Sequence, residues 1–169
     1  NDDGTWTVKD GAVAHVATGM LTGPYFFRKN VGYATIEEAF AAAVAYKDGN
    51  ITLLQNVTLT EDVEISIPGI VLNANGYALD CNGYEIKLTA IDATFTASEG
   101  LNVTTNMAGM KVVYEDGTYK VVPLVYVAQI GDTKYETLAD AIAAANAAEN
   151  GATITLLADA TVGEMMTIT

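Results

Sequence analysis

Cysteine, histidine and arginine each occur once in the 169 residues, as Cys81, His15 and Arg28, and proline occurs three times. A lone thiol excludes an internal disulfide framework, and one thiol with one imidazole excludes a metal cage of the Cys/His type. Cations are scarce as well: 8 Lys+Arg stand against 21 Asp+Glu, a formal net charge of −13. Such a balance repels a phosphate backbone, so nucleic acid is not an expected partner. No apolar run approaches the roughly 18 residues of a spanning helix, and Asn1-Asp2-Asp3-Gly4 is acidic where a signal peptide is basic and then apolar. Neither membrane insertion nor a retained export signal is expected. Hydrophobic residues are plentiful at 50%, which supplies a core and excludes wholesale disorder.

The chain repeats itself. Tyr33-Ala34-Thr35-Ile36-Glu37-Glu38-Ala39-Phe40 aligns with Tyr135-Glu136-Thr137-Leu138-Ala139-Asp140-Ala141-Ile142, an offset of 102 from 33 to 135. Ile51-Thr52-Leu53-Leu54 then aligns with Ile154-Thr155-Leu156-Leu157, the offset becoming 103 from 51 to 154 after one inserted residue. An echo of Asp3-Gly4-Thr5-Trp6 in Asp116-Gly117-Thr118-Tyr119 makes the first residues read as the tail of a preceding copy. The expected organisation is therefore residues 1–32 as tail plus insertion, 33–122 as the first repeat and 123–169 as the start of a second. In that register Thr169 matches Ser66, so the chain reads as a recombinant or proteolytic piece of a longer array.

Each copy opens on a helix. Thr35 with Glu38 forms a capping box, and Thr137 with Asp140 a weaker one. Ile36, Ala39, Phe40, Ala43 and Val44 make one apolar stripe, which Leu138, Ala141, Ile142 and Ala145 repeat. Gly49 and Gly151 stand where a left-handed helix cap is wanted. The rest reads as short strands: 51–54, 57–59, 63–67, 70–72, 77–79, 85–88, 94–96, 101–105, 111–114, 119–122, 124–130 and 162–168. Asp116-Gly117 is a hairpin signal, while Asn75-Gly76-Tyr77 and Asn82-Gly83-Tyr84 read as corners followed by a strand start. Two tyrosines at such corners also suit sugar platforms, the less favoured reading. Short regular strands fit a β-solenoid better than a sandwich.

The sequences Tyr135-Glu136-Thr137-Leu138, Ile154-Thr155-Leu156-Leu157-Ala158-Asp159 and Leu79-Asp80-Cys81-Asn82-Gly83-Tyr84-Glu85-Ile86 resemble a repeat of large secreted surface proteins of anaerobic gut-type bacteria. The resemblance covers residues 33 to 88 and 126 to 169, and departs from the pattern at Cys81 and across Gly19 to Asn30. It implies a mainly β fold with short helices, a right-handed parallel β-helix of the pectin-lyase-like kind with a helix at each repeat start. It also implies an extracellular or cell-surface setting.

Catalysis is not expected. Glycosidases need two carboxylates across a cleft, yet Glu37 and Glu38 lie in a helix first turn and Asp80 and Glu85 flank a corner, with no spacing that pairs them. His15 has no local catalytic signature and reads as a core-edge or solvated residue. Cys81 reads as a small core hydrophobe. Asp2, Asp3 and Asp10 do not match a calcium loop, and no phosphate loop occurs, so no metal or cofactor is expected. The Asn-x-Thr sequons at Asn50, Asn56 and Asn102 read as structural.

One segment stands out. Ala17 to Asn30 replaces the short Gly131 to Lys134 of the second copy, and it carries Tyr25, Phe26, Phe27 and Arg28. These four residues suit a cap over the solenoid end, the favoured reading, or a loop contacting a ligand. The functional expectation is a non-catalytic repeat module, a spacer or adhesion element touching host glycan, host protein or neighbouring repeats, and monomeric in dilute solution. The alternative is a carbohydrate-binding accessory module or a fragment of a polysaccharide-acting enzyme.

Overall fold

The computed structural model describes residues 11–22, 25–47, 49–148 and 152–160. The fold is mainly β with two short helices, and the chain divides into two compact units, Asn1–Val122 and Pro123–Thr169. The first unit begins with an antiparallel hairpin of β1 (Ala14–Thr22) and β2 (Tyr25–Tyr33), followed by helix α1 (Ile36–Tyr46). Eight short strands come next, β3 (Asn50–Leu53), β4 (Val57–Thr58), β5 (Val63–Ile65), β6 (Ile70–Asn73), β7 (Leu79–Asp80), β8 (Ile86–Leu88), β9 (Thr94–Thr96) and β10 (Val103–Thr104). A second hairpin, β11 (Met110–Glu115) and β12 (Thr118–Pro123), ends the unit.

The short strands stack in three parallel ladders: β3, β6 and β9 form one, β4 and β7 another, and β5, β8 and β10 the third. Asn50 lies beside Val71, Val57 beside Leu79 and Val63 beside Ile86, so successive passes of the chain lie on one another. Among the described residues none of these sheets closes on itself. At the two sides of the first ladder the hairpins add antiparallel strands, β1 on β3 and β12 on β9, giving a mixed sheet in the order β11-β12-β9-β6-β3-β1-β2.

Alternation places one core among the three ladders. Ile51 and Leu53 of β3, Ile65 of β5, Ile70 of β6, Ile86 and Leu88 of β8 and Phe95 of β9 are fully buried. Each such side chain contributes about 1.5–3 kcal/mol, whereas an exposed, solvent-screened ion pair such as Lys120–Glu115, 2.6 Å apart, adds little. Apolar burial therefore dominates. Helix α1 packs against β1, β2, β3 and β5 through buried Ile36, Ala39, Phe40 and Ala43.

The cap chemistry of α1 follows the sequence. Thr35 Oγ1 accepts from the Glu38 N–H at 3.2 Å, and Glu38 Oε2 accepts from the Ala34 N–H at 3.2 Å. Its end differs from expectation, because the left-handed residue is Lys47, with φ 55°, and not Gly49. Gly49 serves another need. A Cβ there would lie 2.1 Å from the Gly69 carbonyl oxygen, so glycine lets the strand start approach the next pass.

The second unit repeats this opening with β13 (Ala128–Ile130), β14 (Thr133–Tyr135), α2 (Leu138–Asn146) and β15 (Thr155–Leu156), its sheet ordered β14-β13-β15. The strand expected over 124–130 forms only from Ala128. Thr137 Oγ1 accepts from the Asp140 N–H at 3.1 Å, and Ala141 and Ala145 are buried. The echo at Trp6, the cap expected at Gly151 and the strand expected over 162–168 lie outside the described residues.

Replacing Gly49 with alanine should cost about 2–3 kcal/mol, since the neighbour it meets is backbone. Urea denaturation of the variant checks this, and an unchanged midpoint would refute the close-approach role.

Candidate functional site

Corners of the passes leave backbone groups that no ladder pairs, and polar side chains from the adjacent pass take them. Asn56 Oδ1 accepts from the Ala78 N–H at 2.9 Å, Asp62 Oδ1 from the Glu85 N–H at 2.8 Å, and Asn75 Nδ2 donates to the Leu53 carbonyl at 3.1 Å. Asn102 Nδ2 donates to the Tyr84 carbonyl at 2.9 Å, and Thr105 Oγ1 to the Leu88 carbonyl at 2.7 Å. Two sequon asparagines, Asn56 and Asn102, are thus committed to register.

The carboxylates behave likewise. Glu37 Oε1 accepts from the Thr60 N–H at 2.7 Å and from Thr60 Oγ1 at 3.1 Å, tying α1 to the corner between β4 and β5. Burial opposes its ionisation, but the Thr60 bonds outweigh that and hold its pKa below the usual glutamate value. Asp62 is held low by its bond from Lys87 Nζ at 2.5 Å and by the Glu85 N–H. Glu37 and Asp62 line one hollow of about 200 Å³ with Glu61 and Glu64. A general acid for glycosidic cleavage needs a raised pKa, and these two are displaced the other way.

The corner turns form as read. Asn75 and Gly76 have φ 52° and 83°, Asn82 and Gly83 have φ 49° and 86°, and the Tyr77 and Tyr84 N–H groups donate to Ala74 and Cys81 carbonyls at 2.8 Å. The tyrosines do not begin strands, however: β7 starts at Leu79 and β8 at Ile86. Tyr77 and Tyr84 are 41% and 37% exposed. Tyr77 borders a cleft of about 260 Å³ with Leu53, Leu72, Leu79, Ser98 and Glu99, where the chain passes from β9 to β10 without adding a strand to β7. That volume falls just below the roughly 300 Å³ at which ligand pockets begin. Its far wall is pinned from behind: the Tyr119 hydroxyl accepts from the Leu101 N–H at 3.0 Å and donates to the Ser98 carbonyl at 3.1 Å. Tyr114 donates to the Ala97 carbonyl at 3.1 Å, its ring 4.6 Å from that of Tyr119.

Tyr25, Phe26, Phe27 and Arg28 lie in β2, their backbones opposite Thr22, Leu21, Met20 and Gly19 of β1. Their side chains lie outside the described residues. Only Ala14, His15 and Val16 of β1 also pair with β3, so the inserted residues pair in this sheet solely as a two-stranded ribbon. Sequence reading missed this hairpin; the dipeptide Gly23-Pro24, between Thr22 and Tyr25, is the sequence signal that could have found it. His15 is partly buried, with Nδ1 lacking a hydrogen-bond partner and burial lowering its pKa. Cys81 packs partly buried against the core as a free thiol. Among the described residues no group of three His, Cys, Asp or Glu side chains is placed to hold a metal, and no helix is long and apolar enough to cross a membrane. No protein-family model, no curated protein and no solved structure matches the chain.

Tyr119→Phe should cost about 1–3 kcal/mol, because the Leu101 N–H loses its acceptor, and amide exchange at Leu101 should quicken. Glu37 has a folded-state pKa below its unfolded one, so the unfolded chain binds more protons between the two. Its stabilisation is therefore full above the unfolded glutamate value and is lost as pH falls through the folded one. Glu37→Gln should flatten the acid limb of the stability–pH curve; an unaltered slope in acid titrations would refute the Thr60 tether.

Proposed function

We propose that the chain is a non-catalytic repeat module, a spacer or adhesion element of a bacterial cell-surface or secreted protein. The observation that carries this reading is the recurrence of one hairpin–helix–strand opening in both units. What recurs is the frame: Asp140 stands in place of the capping Glu38, whereas Ala139 stands in place of the tethering Glu37. A scaffold whose polar residues serve register has little left for chemistry. The finer fold we propose is a right-handed parallel β-helix of the pectin-lyase-like kind, which the three parallel ladders and the resemblance support. Its partners in this reading are neighbouring repeats, or a host glycan or protein, with no cofactor, nucleic acid or membrane insertion. A net charge of −13 opposes self-association at low salt, so the chain is monomeric in dilute solution.

A carbohydrate-binding accessory module, or a fragment of a polysaccharide-acting enzyme, is the second reading. Tyr77 beside Glu99 in the cleft under the third pass favours it, since aromatic faces stack on sugar rings.

Incubation with pectins, mucins and host glycans should yield neither new reducing ends nor unsaturated products, and calorimetry should give no glycan binding that Tyr77→Ala removes. Turnover abolished by replacing a single carboxylate would overturn the module reading in favour of an enzyme.

A further inference from the structure

The two units open on the same hydrogen bonds. The Val13 N–H donates to the Tyr33 carbonyl at 2.9 Å and the Val127 N–H to the Tyr135 carbonyl at 2.9 Å. The Leu54 N–H donates to the Val13 carbonyl at 3.0 Å, and the Leu157 N–H to the Val127 carbonyl at 2.9 Å. Registers agree as well, Ala14 lying opposite Tyr33 and Leu53, and Ala128 opposite Tyr135 and Leu156. Thr155 and Leu156 of β15 are therefore the counterparts of Thr52 and Leu53 of β3.

The counterparts differ on their other side. β3 receives β6 in parallel, Ile51 beside Leu72 and Thr52 beside Asn73, and its Leu53 is fully buried. Among the described residues β15 is the edge of its sheet, and Leu156, the equivalent of Leu53, is 57% exposed, with Leu157 at 45%. An apolar side chain on an open strand edge marks a place for strand addition.

We infer that β15 is an acceptor edge for a parallel strand of the β6 type, an extended Gly-Ile-Val-Leu-Asn-Ala-Asn segment such as a further repeat would supply. This goes beyond the spacer or glycan role, since it concerns the edge alone. The first unit specifies the donor's chemistry. Glycine leads because Gly69 has φ 79°, a left-handed angle that L side chains rarely adopt. Ile70 and Leu72 are the buried, alternate positions. Asn75 closes the segment by donating to the Leu53 carbonyl, whose counterpart is that of Leu156. A second copy of the chain is a poor donor, because its own β6 lies between β3 and β9 and is released only by unfolding.

The test grafts a copy of residues 68–75 after Thr169 through a flexible Gly/Ser linker of about twelve residues, whose reach of about 20 Å supplies millimolar effective concentration. Amide exchange at Ile154 and Leu156, which alternate with the Thr155 and Leu157 N–H groups on the β13 side, should slow at least tenfold in the grafted protein and return to the parent rate when the graft carries Leu72→Lys. The ungrafted sequence is untouched, so folding of the host is not at issue. Dimers that exchange grafts between chains, abolished by the same Leu72→Lys change, also support the acceptor edge. Exchange unaltered by the graft, or slowed equally by both grafts, overturns it, as does dimerisation of the ungrafted chain through Leu156.

Discussion

Parallel stacking of successive passes is the constraint on which the first unit depends. Strands of two to four residues satisfy few backbone groups apiece, and a parallel ladder must repeat its register at every pass. Asn56, Asp62, Asn75, Asn102 and Thr105 hold that register by bonding backbone atoms one pass away, where the ladders stop. Inward alternation of Ile and Leu then supplies the free energy, and the corners supply uniqueness.

Local chemistry was legible in the sequence wherever one residue decides a backbone angle or a cap. Thr35 and Thr137 cap helices, Asn75-Gly76 and Asn82-Gly83 turn, and Asp116-Gly117, with φ 50° and 77°, joins β11 to β12. Less legible was anything set by a neighbour distant in sequence. Gly49 matches a helix-cap signal, yet its reason is the carbonyl of Gly69. Tyr77 looks like a strand residue from its type alone, but β7 forms only where β4 lies alongside, opposite Val57. Likewise 124–126 are apolar enough for a strand, while cross-strand bonding begins only at Val127, with the Tyr135 carbonyl and the Leu157 N–H. The cleft beside Tyr77 was invisible for the same reason, since its walls come from three passes and its depth from a strand that is not made.

Alignment of the copies by their helices conceals how the first one is longer. Strands β1 and β2 carry nine residues each and β13 and β14 three, so the extra length is a hairpin extended symmetrically about its turn. Growth of that kind leaves the pairing with β3 and β15 untouched. It lets one copy bear Tyr25, Phe26, Phe27 and Arg28 on a ribbon without disturbing the frame that both share.

The aromatic contacts carry a consequence for how the first unit comes apart. Phe40 of α1 meets Phe95 of β9 edge-on at 5.6 Å, Phe95 stacks on Tyr119 of β12 at 6.0 Å, and Tyr119 meets Tyr114 of β11. A helix that precedes the first pass and a hairpin that follows the last one thereby share a single line of rings. Repeat arrays ordinarily lose units one at a time from an end, because each touches only its neighbours. Here neither end can fray without parting rings that the other end also needs, so the passes between them melt together, as one all-or-none unit.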